Sequence, residues 1–368
     1  MSNYFNPVRI IKTENWLREL NFRINDLKIS APVIITSPGN RKRLNLNSKF
    51  DSDSIFSDVG SNPNFKDCTN ALKFCQKNMF DGVVAIGGGS AMDLAKVVMA
   101  HLSLEKTDIN ELIEYKGSFP QEIPSIFLPT THGTASEVTM WGTVWNMEEE
   151  KKYSISHPSL YPSVAILDGN LTLSLPLDIS ISTMMDALSH SFESIWNKNA
   201  NPTSTDFAIS AICSILENGE ALKKNLSDLK IRNNLLKSAT VAGLAFSNTT
   251  TAAAHSMSYP LTIHYGIPHG VASSISLLPL MEINGKLIKE PLDRICNNNE
   301  LTYDELKQTI KDIPKGVVPY TLDEWGIPED QLPTLAAESF TKGRMDNNVV
   351  DLTKDDVLGI LKELYSDQ

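Results

Sequence analysis

A buried apolar run that stops on three consecutive glycines is the feature that most narrows what this chain can fold into. Residues 82–86, GVVAI, are apolar and largely β-branched, and they end abruptly at Gly87-Gly88-Gly89-Ser90. Helical apolar spacing follows over residues 91–102. A strand, a glycine loop and a helix in that order bring unsatisfied backbone N–H groups to a helix N-terminus, where the helix dipole also favours negative charge. Ser90 is expected to cap this helix, and Asp93 to sit in its first turn, where a carboxylate is favoured. The arrangement suits the phosphates of a nucleotide, and an ordinary tight turn is the plain alternative.

The rest of the first half alternates in the same way. Residues 32–37, PVIITS, read as a strand ending in the turn signal Pro38-Gly39. Residues 64–79 read as a helix burying Phe65, Cys68, Ala71, Leu72 and Cys75, and residues 125–128 and 164–167 read as further strands. Strands alternating with helices predict a mostly parallel sheet covered on both faces. After Pro176 the pattern changes. Helical spacing dominates residues 179–196, 206–222, 231–247 and 355–365, and convincing strand signals disappear. A length of 368 residues suits two domains. The expected division is an α/β dinucleotide-binding domain over residues 1–176 and an all-helical domain over residues 177–368.

A formal net charge of −11 argues against nonspecific nucleic-acid binding, which needs basic surface. No apolar run approaches the ~20 residues needed to cross a bilayer. The polar start, MSNYFNPVRI, does not resemble a secretory signal, so a cytoplasmic protein with no membrane partner is expected. The four cysteines, Cys68, Cys75, Cys213 and Cys296, form no CxxC pair. They read as reduced packing residues rather than a zinc site.

A second loop, Pro129-Thr130-Thr131-His132-Gly133-Thr134-Ala135-Ser136-Glu137, also follows an apolar strand. Its hydroxyls suit a nucleotide ribose or pyrophosphate, and a Ser/Thr-rich turn is the alternative. Two such loops at strand ends fit a cofactor along the carboxyl edge of the sheet. Asp186 and His190 stand four apart, on one face of a helix. His255 and His269 bracket HSMSYPLTIHYGIPH, and four of the seven histidines fall within residues 190–269. Three imidazoles and one carboxylate suit Zn2+ or Fe2+ with room for a substrate oxygen. An Asp/His pair at this spacing, taken alone, is more often a surface or capping pair.

These residues resemble the group III, iron-containing alcohol dehydrogenases. GGGSAMDLAK, TTHGTASEVT, DALSH and HSMSYP…IPHG occur in the order and at the spacing of that family over nearly the whole chain. The resemblance implies an N-terminal dinucleotide-binding α/β domain and a C-terminal helical domain. It implies metal ligation by Asp186, His190, His255 and His269. It also implies phosphate binding by Gly87, Gly88, Gly89 and Ser90 with Asp93 beside them, and nucleotide contacts from Thr130, Thr131 and Thr134. The reaction implied is reduction of a small aldehyde to a primary alcohol by NAD(P)H on Fe2+ or Zn2+, in a homo-oligomer.

Two positions depart from the family pattern. Many members carry a histidine four residues after the third ligand, and here Tyr259 stands there. Tyr259 and His264 are therefore the candidate catalytic residues. Members that favour NAD often end the second-strand segment on an acidic residue, whereas this one ends on Ser37 with Arg41, Lys42 and Arg43 following. An acidic group there would repel a 2′-phosphate, so its absence favours NADP(H) over NAD(H). Within the family, TVWN, AFSNTTTAAAHSMSYPLTIHYGIPHG and RMDNN resemble the phosphonoacetaldehyde reductase branch. That likeness makes Arg344 the expected anchor for an anionic substrate, with Lys152, His264 and Lys342 as further cations. A general short-chain or sulfoacetaldehyde reductase is the nearest alternative. A dehydroquinate synthase-type lyase and a non-catalytic nucleotide- or metal-binding protein are alternatives of other classes.

Overall fold

The computed structural model describes residues 3–149 and 151–366. Its contacts divide the chain into two compact units. One comprises residues 6–131 and 135–172. The other comprises the N-terminal segment through Phe5, residues 132–134, and the chain from Leu173 on.

Among the described residues eight strands are formed: β1 (Arg9–Lys12), β2 (Pro32–Thr36), β3 (Ile55–Phe56), β4 (Gly82–Gly87), β5 (Ser125–Pro129), β6 (Trp141–Asn146), β7 (Lys151–Ser156) and β8 (Val164–Leu167). Six make one parallel sheet in the order β1-β8-β5-β4-β2-β3, while β6 and β7 pair separately and antiparallel. The sequence reading anticipated the parallel sheet but missed β1, β3 and the β6–β7 pair. The continuous apolar runs of β2, β4 and β5 follow from burial on both faces. Val33, Ile35, Val83, Ala85 and Phe127 enter one core cluster, and Ile34, Val84, Ile86, Ile126 and Leu128 enter another.

Helices α1 (Trp16–Asp26), α2 (Pro38–Arg43), α3 (Phe65–Cys75), α4 (Gly89–Leu104) and α5 (Ile109–Glu114) complete this unit. Pro38-Gly39 opens α2 instead of forming a free turn, with Ser37 as its N-cap and proline in the first turn, where its missing N–H costs nothing. The cap of α4 is Gly88, not Ser90, and Asp93 lies beyond the first turn.

The second unit is helical: α6 (Leu177–Ile195), α7 (Pro202–Lys224), α8 (Leu229–Thr249), α9 (Ala253–Tyr265), α10 (His269–Ala272), α11 (Leu277–Asn284), α12 (Lys289–Asn298), α13 (Tyr303–Asp312), α14 (Leu332–Glu338) and α15 (Lys354–Glu363). No strand occurs after Leu167 among the described residues. Helix α6 is buried almost all round, and two of its serines are satisfied within the helix itself. Ser191 and Ser194 donate to the carbonyls of Ala187 and His190, one turn back, at 2.8 Å each. Among the described residues no helix is long and apolar enough to cross a membrane. All four cysteines are free thiols, Cys68 and Cys75 buried and Cys213 and Cys296 half-buried.

Candidate active site

Parallel pairing brings the two loops together. In β2–β4, Thr36 is level with Ile86, and in β4–β5, Gly87 is level with Pro129. Ser37, Gly87–Ser90 and Thr130–Thr131 therefore emerge side by side at the carboxyl ends of three adjacent strands. The chain also reverses direction across the sheet here, since β3 lies outside β2 and β4 lies on its other side. The glycines are required by close approach. A Cβ on Gly87 would lie 2.5 Å from that of Ala91, and one on Gly88 would lie 3.0 Å from Thr131 Cγ2. Gly88, Gly89 and Ser90 remain partly exposed at the N-terminus of α4, whose cap makes no side-chain hydrogen bond. This cradle fits a dinucleotide phosphate, and a side chain at Gly87 or Gly88 would obstruct it.

The neighbouring polar groups are committed to building the cradle. Ser37 Oγ accepts from Asn40 N–H at 3.2 Å, and Thr130 Oγ1 accepts from Asn40 Nδ2 at 3.3 Å. Ser90 Oγ accepts from Asn62 N–H at 3.1 Å. Arg41 reaches Asn47, the Ile55 carbonyl and Ser57, and Arg43 reaches Asn40. Asp93 is turned inward, accepting from Ser136 Oγ at 2.7 Å and Thr143 N–H at 3.0 Å.

Lys96, one turn further along α4, was missed in the sequence. It is fully buried, and its Nζ donates to Ser136 Oγ (2.8 Å), Thr139 Oγ1 (2.9 Å) and the Trp141 carbonyl (2.6 Å). Burial pushes it down to about 8, against the pull of Asp93 and Glu137. The DLAK spacing, with acid and base three apart on one helix face, was the available signal.

In the helical unit, Asp186, His255 and His269 each present a ligand atom, all within 4.8 Å of one another. Helix α6 supplies Asp186, α9 supplies His255, and His269 opens α10. Gly270 allows this approach, because a Cβ there would collide with the Ser182 carbonyl, one turn before Asp186. His190 does not join the triad itself. Its ring lies between Phe246 (centroids 4.1 Å apart) and His255 (4.5 Å). Burial raises the Asp186 carboxyl, but His190, His269 and His255 outweigh that and hold it well below the usual carboxylate range. Ser273 Oγ donates to its Oδ1 at 2.9 Å.

Glu193, also overlooked in the sequence, is fully buried and accepts from His255 N–H at 3.0 Å and from Nδ1 at 2.6 Å. Its position three after His190 and seven after Asp186, on the same helix face, was the signal for it. Burial lowers His255, and Glu193 with Asp186 more than reverse this, bringing it to about 9. The other ring nitrogen, Nε2, is buried and meets Asp186 Oδ1 only at 3.5 Å, without an ordinary hydrogen bond. A buried imidazole nitrogen left this way beside a carboxylate and a second imidazole fits a divalent cation. The side chain of His269 is 25% exposed, against 3% for Asp186 and His255, so the set has one open flank, as catalytic rather than structural metal sites do.

Other expected residues fall elsewhere. His264 is nine residues after His255, two and a half turns along α9, and pairs with Glu338 at 2.7 Å at the surface. Tyr259 lies one turn after His255 on the same face, half-buried. Arg344 is half-buried, and its guanidinium donates to the Gly343 carbonyl at 2.8 Å. Its segment is fastened to the start of α9. Thr341 N–H donates to Ser256 Oγ at 3.0 Å, and Asn347 Nδ2 donates to Thr250 Oγ1 and the Thr251 carbonyl, both at 2.9 Å.

Residues 7–169 match the iron-containing alcohol dehydrogenase family, and residues 180–365 match the C-terminal part of the Fe-containing alcohol dehydrogenase family. The chain is 32% identical over 308 residues to long-chain-alcohol dehydrogenase 1 of Geobacillus thermodenitrificans, covering 79% of this chain and 76% of that one. It is 29% identical over 312 residues to 4-hydroxybutyrate dehydrogenase of Clostridium kluyveri, covering 80% and 82%. A sulfoacetaldehyde reductase from Bifidobacterium kashiwanohense, solved in complex with NAD+, superposes with a TM-score of 0.91 at 28% identity, over 100% of both chains. With both halves of the chain matched, this chain belongs to the iron-containing alcohol dehydrogenase family.

Proposed function

We propose that this member reduces a two-carbon aldehyde bearing a tetrahedral oxyanion, phosphonoacetaldehyde first among them, to the primary alcohol, with NADPH as reductant. The reaction is aldehyde plus NADPH plus a proton giving alcohol plus NADP+. The observation that carries the oxidoreductase reading is the buried Asp186–His255–His269 set with its open flank at His269. Asp186, His190, His255 and His269 would hold one Fe2+ or Zn2+, His190 entering from its stacked place beside His255. When bound, the metal supplies Lewis acidity toward the substrate oxygen and the nicotinamide supplies the hydride.

The chain's own residues do the rest. Gly87, Gly88, Gly89 and Ser90 offer backbone N–H groups to the pyrophosphate, and Thr130 and Thr131 follow the adjacent strand beside them; Thr134 is the further hydroxyl of that loop taken as a nucleotide contact. Asp93 serves the same site from behind, by fastening Ser136 and Thr143 to α4. Ser37 puts no negative charge where a 2′-phosphate would sit, which favours NADP(H). In this reading Tyr259, one turn after His255 on α9, passes a proton toward the alcohol oxygen. Arg344 holds the oxyanion, giving up a single bond to its neighbour's carbonyl for a paired charge. Support for an anionic substrate comes from the names of the relatives, since 4-hydroxybutyrate and sulfoacetaldehyde both carry an anionic group away from the reacting carbon.

Steady-state NADPH oxidation tests this, using metal-loaded and metal-depleted protein with phosphonoacetaldehyde, sulfoacetaldehyde and propionaldehyde. The expected order of kcat/KM puts phosphonoacetaldehyde first. Arg344→Ala is expected to lower the two oxyanion substrates about 10- to 100-fold and leave propionaldehyde nearly unchanged. Metal-independent rates would remove the ligand reading. Equal losses for all three aldehydes would remove the role of Arg344.

A further inference from the structure

We infer that Glu193 is a positioning residue for the metal site, fixing the His255 ring proton on Nδ1 so that Nε2 is free to ligate. The inference rests on reading Asp186, His255 and His269 as metal ligands. A neutral imidazole carries one N–H and one lone pair, and which nitrogen has which is set by the partner of the other. Here Glu193 Oε2 lies 2.6 Å from Nδ1, inside a site where the carboxylate is fully buried. A carboxylate presents only acceptor oxygens, and this one already accepts the His255 backbone N–H through its other oxygen. The proton must then sit on Nδ1.

The second oxygen makes the arrangement specific. Glu193 Oε1 accepts the His255 backbone N–H at 3.0 Å. That amide lies in the first turn of α9, where no intrahelical carbonyl is available to it. One carboxylate therefore clamps both the backbone and the ring of the same residue, and its charge also sits favourably at a helix N-terminus. A glutamine of the same shape cannot do this. Its amide offers one acceptor oxygen, and its NH2 would face the remaining donor. Either the backbone bond is lost or the ring proton moves to Nε2, into the space between Asp186 and His269. An aspartate is a methylene too short to reach both.

Two measurements test the assignment. Metal-depleted protein is titrated with Co2+, reading the visible d–d absorption, with Kd set by competition against a chelator. Glu193→Gln is expected to raise the Co2+ Kd about 10- to 100-fold. The melting temperature of the metal-depleted variant should stay close to that of the metal-depleted parent. A merely structural role would lower that melting temperature and leave Kd unchanged in the folded fraction. The second measurement needs only the wild type. In 15N-histidine-labelled, Zn2+-loaded protein, long-range 1H–15N correlations should place the His255 proton on Nδ1. Ligation through Nδ1, or a folded Glu193→Gln protein with the parent Kd, overturns the inference while leaving the site intact. Failure of the wild type to bind Co2+ removes the ligand reading and this inference together.

Discussion

An imidazole buried without a partner costs stability wherever its environment forces it to stay neutral, and the two loop and site histidines meet that cost differently. His255 is surrounded by acceptors, whereas His132, in the Thr131–Gly133 turn, is buried with no hydrogen bond to either ring nitrogen. Burial, with the Arg232 charge adding to it, pushes His132 down to about 3. Its folded value is thus below its unfolded one, so the unfolded chain binds the extra proton between pH ~6.5 and ~3. The native state loses stability as pH falls through that window. The stability difference between pH 7 and pH 5 should shrink by about 2 kcal/mol in His132→Leu, measured as urea midpoints at each pH. Parallel acid limbs for the two proteins would show that His132 is not held neutral. At the proposed metal site, His269→Ala takes away the imidazole on the open flank. The variant should fold, with an unchanged far-UV spectrum, while bound metal drops to a small fraction per chain and turnover falls with it. Retention of metal at the parental level would show that His269 is not a ligand.

Helix α9 owes its entry to a strained turn. Thr250 adopts φ 62° and ψ −178°, a region that side-chain-bearing residues rarely occupy and that costs on the order of 1–3 kcal/mol. Asn347 holds this turn through Thr250 Oγ1 and the Thr251 carbonyl, and Asn197 Nδ2 holds the Thr250 carbonyl at 3.2 Å. The RMDNN segment thus acts in the structure through its asparagines, and Asn348 adds a reciprocal amide pair with Asn284. Five residues after the strained turn comes His255, so the direction of α9 sets where its imidazole points. Asn347→Ala should lower unfolding free energy by about 1–3 kcal/mol and weaken metal binding. Adding Thr250→Gly should recover part of both, since glycine accepts positive φ without strain. Urea unfolding and metal content of the single and double variants would check this. No recovery in the double variant would mean that the asparagine acts elsewhere.

At the scale of the whole molecule, sheet order decides which residues stand beside the glycine loop. Because β2 and β4 are neighbours, the residue after β2 stands beside the glycine loop after β4. Ser37→Asp places a carboxylate at that junction and is expected to shift the NADPH/NADH ratio of kcat/KM toward NADH by about tenfold or more. A parent enzyme that already prefers NADH would defeat the argument. Ser37 also caps α2, and aspartate is an equally good cap, so the substitution is expected to leave stability nearly unchanged.

The parallel sheet, the helical second half, the glycine cradle and the Asp186–His190 spacing were all legible in the sequence, because each is a local pattern. Strand runs, glycine punctuation and a four-residue repeat express backbone geometry within one or two elements. The nine-residue spacing of His264 from His255, which puts them on opposite faces of α9, was equally readable there. Boundaries such as the Gly88 cap, and short strands such as β1 and β3, carried too few residues for a periodic signal. What only the tertiary structure decided were the partnerships between distant elements. Glu193 meets His255 across 62 positions, Asn347 meets Thr250 across 97, and Lys96 meets the end of the threonine loop and the segment after it across 40 to 45. The contacts within the helical unit depend on how α6, α9 and α10 seat against one another, which is the sum of many small packing terms spread over a buried core. No single residue carries that sum, so no local pattern announces it.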